Sequence, residues 1–165
     1  MMHRLLAMVV VLTLVAGALS QAPAQGIPFG GIRHDSSQPV EITADSLSVD
    51  QEARTAEFNG SVAAGQGSLR LTADRLVVEY QGEGSGEIRL MRAYGNVTMT
   101  NGGEAAEAEE AIYTVVDGMM RMMGNVLLTQ GENAIAGDIA NINLDTGTAV
   151  FEGRVTSVFK SAEDG

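Results

Sequence analysis

Four carboxylates recur at a fixed place in the chain. They are Asp45, Asp74, Glu109 and Asp138, each preceded by a small residue, Ala44, Ala73, Ala108 or Gly137. Paired carboxylates serve general acid–base catalysis, and acids converging on an open groove with aromatic sugar platforms would suit a carbohydrate-active β-solenoid enzyme. Their periodic spacing points instead to a structural use, and three Tyr, four Phe and no Trp offer few platforms. The remaining inventory for chemistry is thin. His34 beside Asp35 has no partner constellation around it in the sequence. Gly82, Gly84 and Gly86 alternate like a phosphate loop, but no Lys-Ser/Thr follows them. Glu104, Glu107, Glu109 and Glu110 lack the Asp/Asn-Gly pattern of a calcium loop, so a solvated face is expected there. With no Cys, the chain has no thiolate zinc site, Cys nucleophile, disulfide or iron–sulfur cluster. We therefore expect a non-enzyme with no catalytic residue, no metal and no cofactor.

Composition narrows the class further. The 165 residues carry 10 Lys+Arg against 21 Asp+Glu, a net charge of -11 with no basic cluster, which excludes a nucleic-acid partner. At 45% hydrophobic the chain is too apolar for a solvated tail, and its length suits one packed domain. Met1 to Arg4 form a basic start, Leu5 to Leu19 an apolar run, and Ala22-Pro23-Ala24 a small-x-small triplet. This is the layout of a Sec-type signal peptide, expected to be cleaved after Ala24, and the run is shorter than the roughly 20 residues of a membrane-spanning helix. An uncleaved anchor is the alternative. Without residues 1–24 the net charge becomes -12.

The elements that position the four acids follow from a fourfold repeat. Each acid is followed by a Gly-x-Val: Gly60 and Val62, Gly95 and Val97, Gly124 and Val126, Gly153 and Val155. The acid-to-glycine separations are 15, 21, 15 and 15 residues, and the six extra fit a turn insertion, Gly82 to Glu87. Apolar residues alternate within each unit, which marks half-buried strands. Leu69 and Leu71 lie at odd offsets before Asp74, whereas Leu76, Val78 and Tyr80 lie at even offsets after it. The inward parity thus flips at the acid, which requires a bulge or corner there. No flip occurs at the glycines. Ala105 to Ala111 is helical by propensity, but the repeat assigns it to a strand. The expected fold class is all-β, with four degenerate repeats of about 29 residues stacked as a folded-over antiparallel sheet, a jelly roll or a solenoid with two open ends.

One run of residues resembles a known family. Gln38-Pro39-Val40-Glu41-Ile42-Thr43-Ala44-Asp45, Phe58-Asn59-Gly60-Ser61-Val62, Leu69-Arg70-Leu71-Thr72-Ala73-Asp74 and Met123-Gly124-Asn125-Val126 are similar to the LptA/OstA-like family of lipopolysaccharide-transport proteins. The similarity spans Gln38 to Phe159. It implies an open antiparallel β-jelly roll at residues 38–159, after a signal peptide at 1–24 and a flexible lead at 25–37, and before a short tail at 160–165. It implies a periplasmic protein that bridges inner-membrane anchored and outer-membrane translocon components of the same fold and associates head to tail with itself. The length leaves no room for a translocon's membrane barrel, and the inner-membrane relative would keep its N-terminal span.

The cargo so implied is lipopolysaccharide, held by its lipid A acyl chains. The inward-parity residues that would line an apolar groove for them are Val40, Ile42, Val49, Val78, Val97, Met99, Tyr113, Val115, Met122, Leu128 and Ile142. Met119, Met120, Met122 and Met123 would add adaptable side chains. The partner edges would be Val40, Glu41, Ile42 and Thr43 at one end and Val155, Val158 and Phe159 at the other. The same parity is equally that of a closed core, and a β-repeat adaptor without lipid cargo would show the same edges.

Overall fold

The computed structural model describes residues 27–28, 37–82 and 86–160. The expected signal peptide, His34, most of the lead and all but Lys160 of the tail lie outside the described residues. Among those described there is no helix. The elements are β1 (Ile27–Pro28), β2 (Val40–Thr43), β3 (Ser46–Asp50), β4 (Thr55–Gln66), β5 (Leu69–Tyr80), β6 (Ile88–Asn101), β7 (Glu104–Thr114), β8 (Met119–Gln130), β9 (Asn133–Asn143), β10 (Thr148–Glu152) and β11 (Thr156–Val158). The Ala-rich stretch 105–111 is a strand, as the repeat requires, with Ala106, Ala108 and Ala111 on its buried face.

All the strands join one antiparallel sheet in the order β1-β10-β9-β8-β7-β6-β5-β4-β2. The six long strands β4 to β9 form a meander. Flanking it, β2 and β3 together pair with β4, and β10 and β11 together pair with β9, so that each flank behaves as one long strand broken in the middle. Within the lead, Ile27–Pro28 pairs with Ala149 and Thr148 of β10. The six-residue insertion falls between β5 and β6, where the Gln81 amide donates to the Glu87 carbonyl at 2.8 Å.

Each long ladder is interrupted at the repeat. Pairing jumps from Asn59 with Arg75 to Val62 with Ala73, and the same irregularity recurs between β5 and β6, β6 and β7, β7 and β8, and β8 and β9. Two residues on the glycine strand, such as Gly60-Ser61, stand against one acid. This extra residue is what makes parity flip on the acid strands and continue on the others. Every strand therefore bends at one row, dividing the sheet into two arms. Arm one holds β3, the Thr55–Asn59 half of β4 and their neighbours out to β10; arm two holds β2, Val62–Gln66 and their neighbours out to β11. The inner faces of both arms merge in a single apolar cluster that includes Val62, Ala73, Leu76, Val97, Met99, Met122, Leu128 and Ile142.

Candidate functional site

The corner row owes its geometry to its residue types. Gly60 has a φ of 80° and Ser61 a φ of 47°, two successive left-handed residues. A Cβ on Gly60 would collide with the Asp45 carboxylate, and the same collision exists between Gly95 and Asp74, Gly124 and Glu109, and Gly153 and Asp138. Only glycine supplies both the backbone angle and the space. The residue after the glycine then secures the acid. Asn96 Nδ2 donates to Asp74 Oδ2 at 2.8 Å, Asn125 Nδ2 to Glu109 Oε1 at 2.6 Å, and Arg154 Nη2 to Asp138 Oδ1 at 2.7 Å. Three of the four carboxylates are thus engaged in holding corners, and the fourth, Asp45, lies against Gly60. Among the described residues no group of three or more His, Cys, Asp or Glu is placed to hold a metal.

Between the arms lies a narrow apolar slot with a cavity volume of about 30 Å³. Arm two contributes Val40, Ala64, Leu69 and Leu71, and arm one contributes Leu76, Met91, Ala93, Ala111, Tyr113 and Met120. The lining is apolar apart from Gln66 and the Tyr113 hydroxyl. Burial pushes the Tyr113 phenol above its ordinary pKa, with the Asp145 carboxylate adding to the effect, so the ring enters the slot uncharged. The slot reaches β2, an edge strand. Beyond it the hairpin end of arm two carries a buried polar row of Gln66, Asn101 and Glu104, with Gln130 Nε2 donating to Glu104 Oε1 and Gln66 Nε2 donating to the Gln38 carbonyl at 2.7 Å.

A sequence model described as LptA/(LptD N-terminal domain) LPS transport protein matches residues 41–149. The chain belongs to this family. Its sequence is 29% identical over 121 residues to the lipopolysaccharide export system protein LptA of Escherichia coli, covering 70% of the chain and 65% of that protein. It is 27% identical over 146 residues to an uncharacterized protein of Rhizobium meliloti, covering 84% of the chain and 77% of the relative. The fold is that of LptH, described as the LptA homologous periplasmic component of the lipopolysaccharide transport device from Pseudomonas aeruginosa, with a TM-score of 0.70, 16% identity, and cover of 77% of this chain and 99% of that one.

With the LptA-family jelly roll established, the residues proposed from parity fall into three groups. Val40 and Tyr113 line the slot. Val78, Val97, Met99, Met122, Leu128 and Ile142 are buried in the core cluster, and Ile42 and Val115 pack against it. Val49 pairs with Ala56 and so belongs to the inner side, yet it is 61% exposed because β3 has no further neighbour. Met120 and Met122 point inward, whereas Met119 and Met123 take the outer side of β8. Leu69, Leu71, Leu76, Met91 and the small residues Ala64, Ala93 and Ala111 line the slot without having been singled out. Parity already placed Leu69, Leu71 and Leu76 inward; which inward residues border empty space depends on how the arms close. Among the described residues β2 pairs only with β4 and β11 only with β9. Of the edge residues named, Val155 and Phe159 flank β11 rather than belong to it.

Proposed function

We propose that this member of the lipopolysaccharide-transport family is a non-enzymatic periplasmic carrier that shields lipid A acyl chains between its two arms and hands them along a bridge of like-folded domains. The observation that carries this reading is the apolar slot reaching the edge strand β2. Each exposed CH₂ of an acyl chain costs about 0.8 kcal/mol in water, and an apolar wall removes that penalty without fixing a shape. Met91 and Met120, unbranched and polarizable, adapt to irregular chains. A multi-acyl lipid exceeds the unliganded slot, so the arms part to admit it. The net charge of -12 without residues 1–24 repels phosphorylated head groups, which stay in solvent. Open edges at both ends supply unpaired strands for β-strand addition to inner-membrane and outer-membrane partners.

In-cell photocrosslinking tests the carrier. A photoreactive residue at Leu71, half-buried at the slot, captures lipopolysaccharide, and one at exposed Thr72 on the opposite face does not. Capture at neither position in a folded, exported protein would sink the carrier reading and leave a cargo-free adaptor; capture at both would mean that lipid binds elsewhere.

A further inference from the structure

The free ends of the two arms, far from the corner row, differ in kind. On arm one the last inward residues are apolar: Tyr80 and Ile88, which pair with each other, and Val115 and Leu144, all packed on the core cluster. On arm two the last inward positions pair in succession across the sheet, from Gln66 through Leu69, Asn101, Glu104 and Gln130 to Asn133. Five of these six side chains carry an amide or a carboxyl. Gln66, Asn101 and Glu104 are nevertheless only 6%, 5% and 4% exposed. One step further in, two residues or about 7 Å along each strand, stand Ala64, Leu71, Met99, Ala106, Leu128 and Ile135, all in or against the apolar cluster. The interior thus passes from hydrocarbon to hydrogen-bonding groups within a single step, and does so on one border.

Burying polar groups costs free energy unless they are hydrogen-bonded, and this row bonds to its own members and to the flanking chain. Gln130 Nε2 donates to Glu104 Oε1, Gln66 Nε2 to the Gln38 carbonyl at 2.7 Å, and the Lys160 amide to Asn133 Oδ1 at 3.0 Å. An apolar row would close this border without any such requirement, as it does on arm one. A side-chain amide carries donors and an acceptor without a charge, which matches the ester carbonyls, amides and hydroxyls found where an acyl chain is attached. The row contains no Lys or Arg, so no cation in it recruits a phosphate. Two of its members, Gln66 and Leu69, border the slot itself.

Resting on the carrier reading above, we propose that this row binds the roots of the acyl chains, the carbonyls and hydroxyls by which they join the head group. The chains run inward from the free end of arm two toward the corner row, and the head group leaves between the free ends of the arms. As the lipid enters, the row exchanges its own hydrogen bonds for bonds to the roots: the amides donate to carbonyls, and Glu104 accepts from a hydroxyl or an amide N–H. No buried group is stranded by that exchange. A plain hydrocarbon would strand them, so the row favours acylated lipids over apolar molecules of equal length.

Diazirine-bearing leucine analogues test the orientation in the exported full chain. One replaces Leu69, within the row; the other replaces Leu76, which lines the slot from arm one beside the corner. Both capture lipopolysaccharide, and mass spectrometry of the adducts places the insertion at the acyl root for Leu69 and toward the methyl end for Leu76. The reverse order, or the same insertion from both, would overturn the orientation. Adducts at Leu76 with none at Leu69 would overturn the row as a contact and leave the carrier intact, whereas no adduct at Leu69, Leu71 or Leu76 would sink the carrier itself. Substitution then separates hydrogen bonding from shape. Glu104→Gln still accepts from Gln130 and leaves capture at Leu71 unchanged. Glu104→Met/Gln130→Met removes both members of a bonded pair at similar volume, preserves the thermal midpoint and lowers lipopolysaccharide capture about fivefold, the strength of one such bond, while the apolar dye N-phenyl-1-naphthylamine binds it as it binds the parent. Equal lipopolysaccharide capture by the parent and the double variant would remove the row's hydrogen bonds from binding. The adduct map decides the orientation even where the double variant is destabilised.

Discussion

The two ends of the interior are built from the same repeat and differ in how they are filled. Toward β8 and β9, Met122, Leu128, Ile142 and Leu144 are fully buried in the apolar core. Toward β2 and β4, Ile42, Phe58 and Leu71 are only half-buried, and Ala64, Ala93 and Ala111 leave a slot between the arms. The acid-and-glycine corner and the strand register recur at both ends. A strand scaffold set by its corners therefore leaves the amount of empty space to be chosen by side-chain size, and one end can be solid while the other stays hollow.

Substitutions that treat the two ends alike would break this contrast. The largest effect is expected from Met122→Ala, which leaves a cavity in the packed end and lowers stability by about 2–5 kcal/mol in chemical denaturation. A loss under about 1 kcal/mol would show the packed end to be loose. Next comes the scaffold that both ends share. Gly124→Ala places a Cβ against Glu109 at a φ of 81° and is expected to cost about 1–3 kcal/mol, more than Gly67→Ala, whose nearest neighbour is the Gln38 Cγ at 3.6 Å. Equal thermal shifts for the two would mean that the corner acids do not enforce glycine.

Smaller still in stability, Leu71→Phe extends a half-buried side chain into the slot and is expected to cost about 1 kcal/mol. Measured with a photoreactive residue at Tyr113, the same variant lowers lipopolysaccharide capture several-fold. Unchanged capture would move the cargo out of the slot. The slightest effect is that of acid on the surface carboxylates. Arg75, with help from Asn59, holds the Glu57 carboxyl below its usual value of 4.5, and Arg154 holds Asp138 below 3.8. A depressed folded-state pKa gives stability that is complete above the unfolded value and is lost as pH falls through the folded one. The thermal midpoint should therefore be flat from pH 7 to about 5 and decline below about 4, by little, since both pairs are solvent-screened. A midpoint rising toward pH 4 would contradict this sign.

Much of the scaffold was legible in the sequence because it rests on local rules. Period-two alternation marked the strands, and the odd-to-even switch around Asp74 located the bends. Ala105 to Ala111 could be assigned against its helical propensity because three other units set the frame. What parity could not supply was distance between the arms. Val78 and Leu71 are both inward by the same count, yet one is sealed in the core and the other borders empty space, a difference created by which residues stand across the interior. Val49 shows the second limit, since inward parity buries a side chain only when another strand lies beyond it. The Ile27–Pro28 contact with β10 carried no signal at all, two residues being too few for a period.

The alternation of corners has a consequence for how such a domain can grow. Eight corners, four acids and four glycines, leave unlike ends. Adding or deleting a single strand would make the count odd and give the two edges a corner residue of the same kind. Adding a whole hairpin keeps the count even. Lengthening by hairpins, and variation in the turns that join them, as in the insertion between Tyr80 and Ile88, are the changes this architecture accommodates with its two ends still unlike.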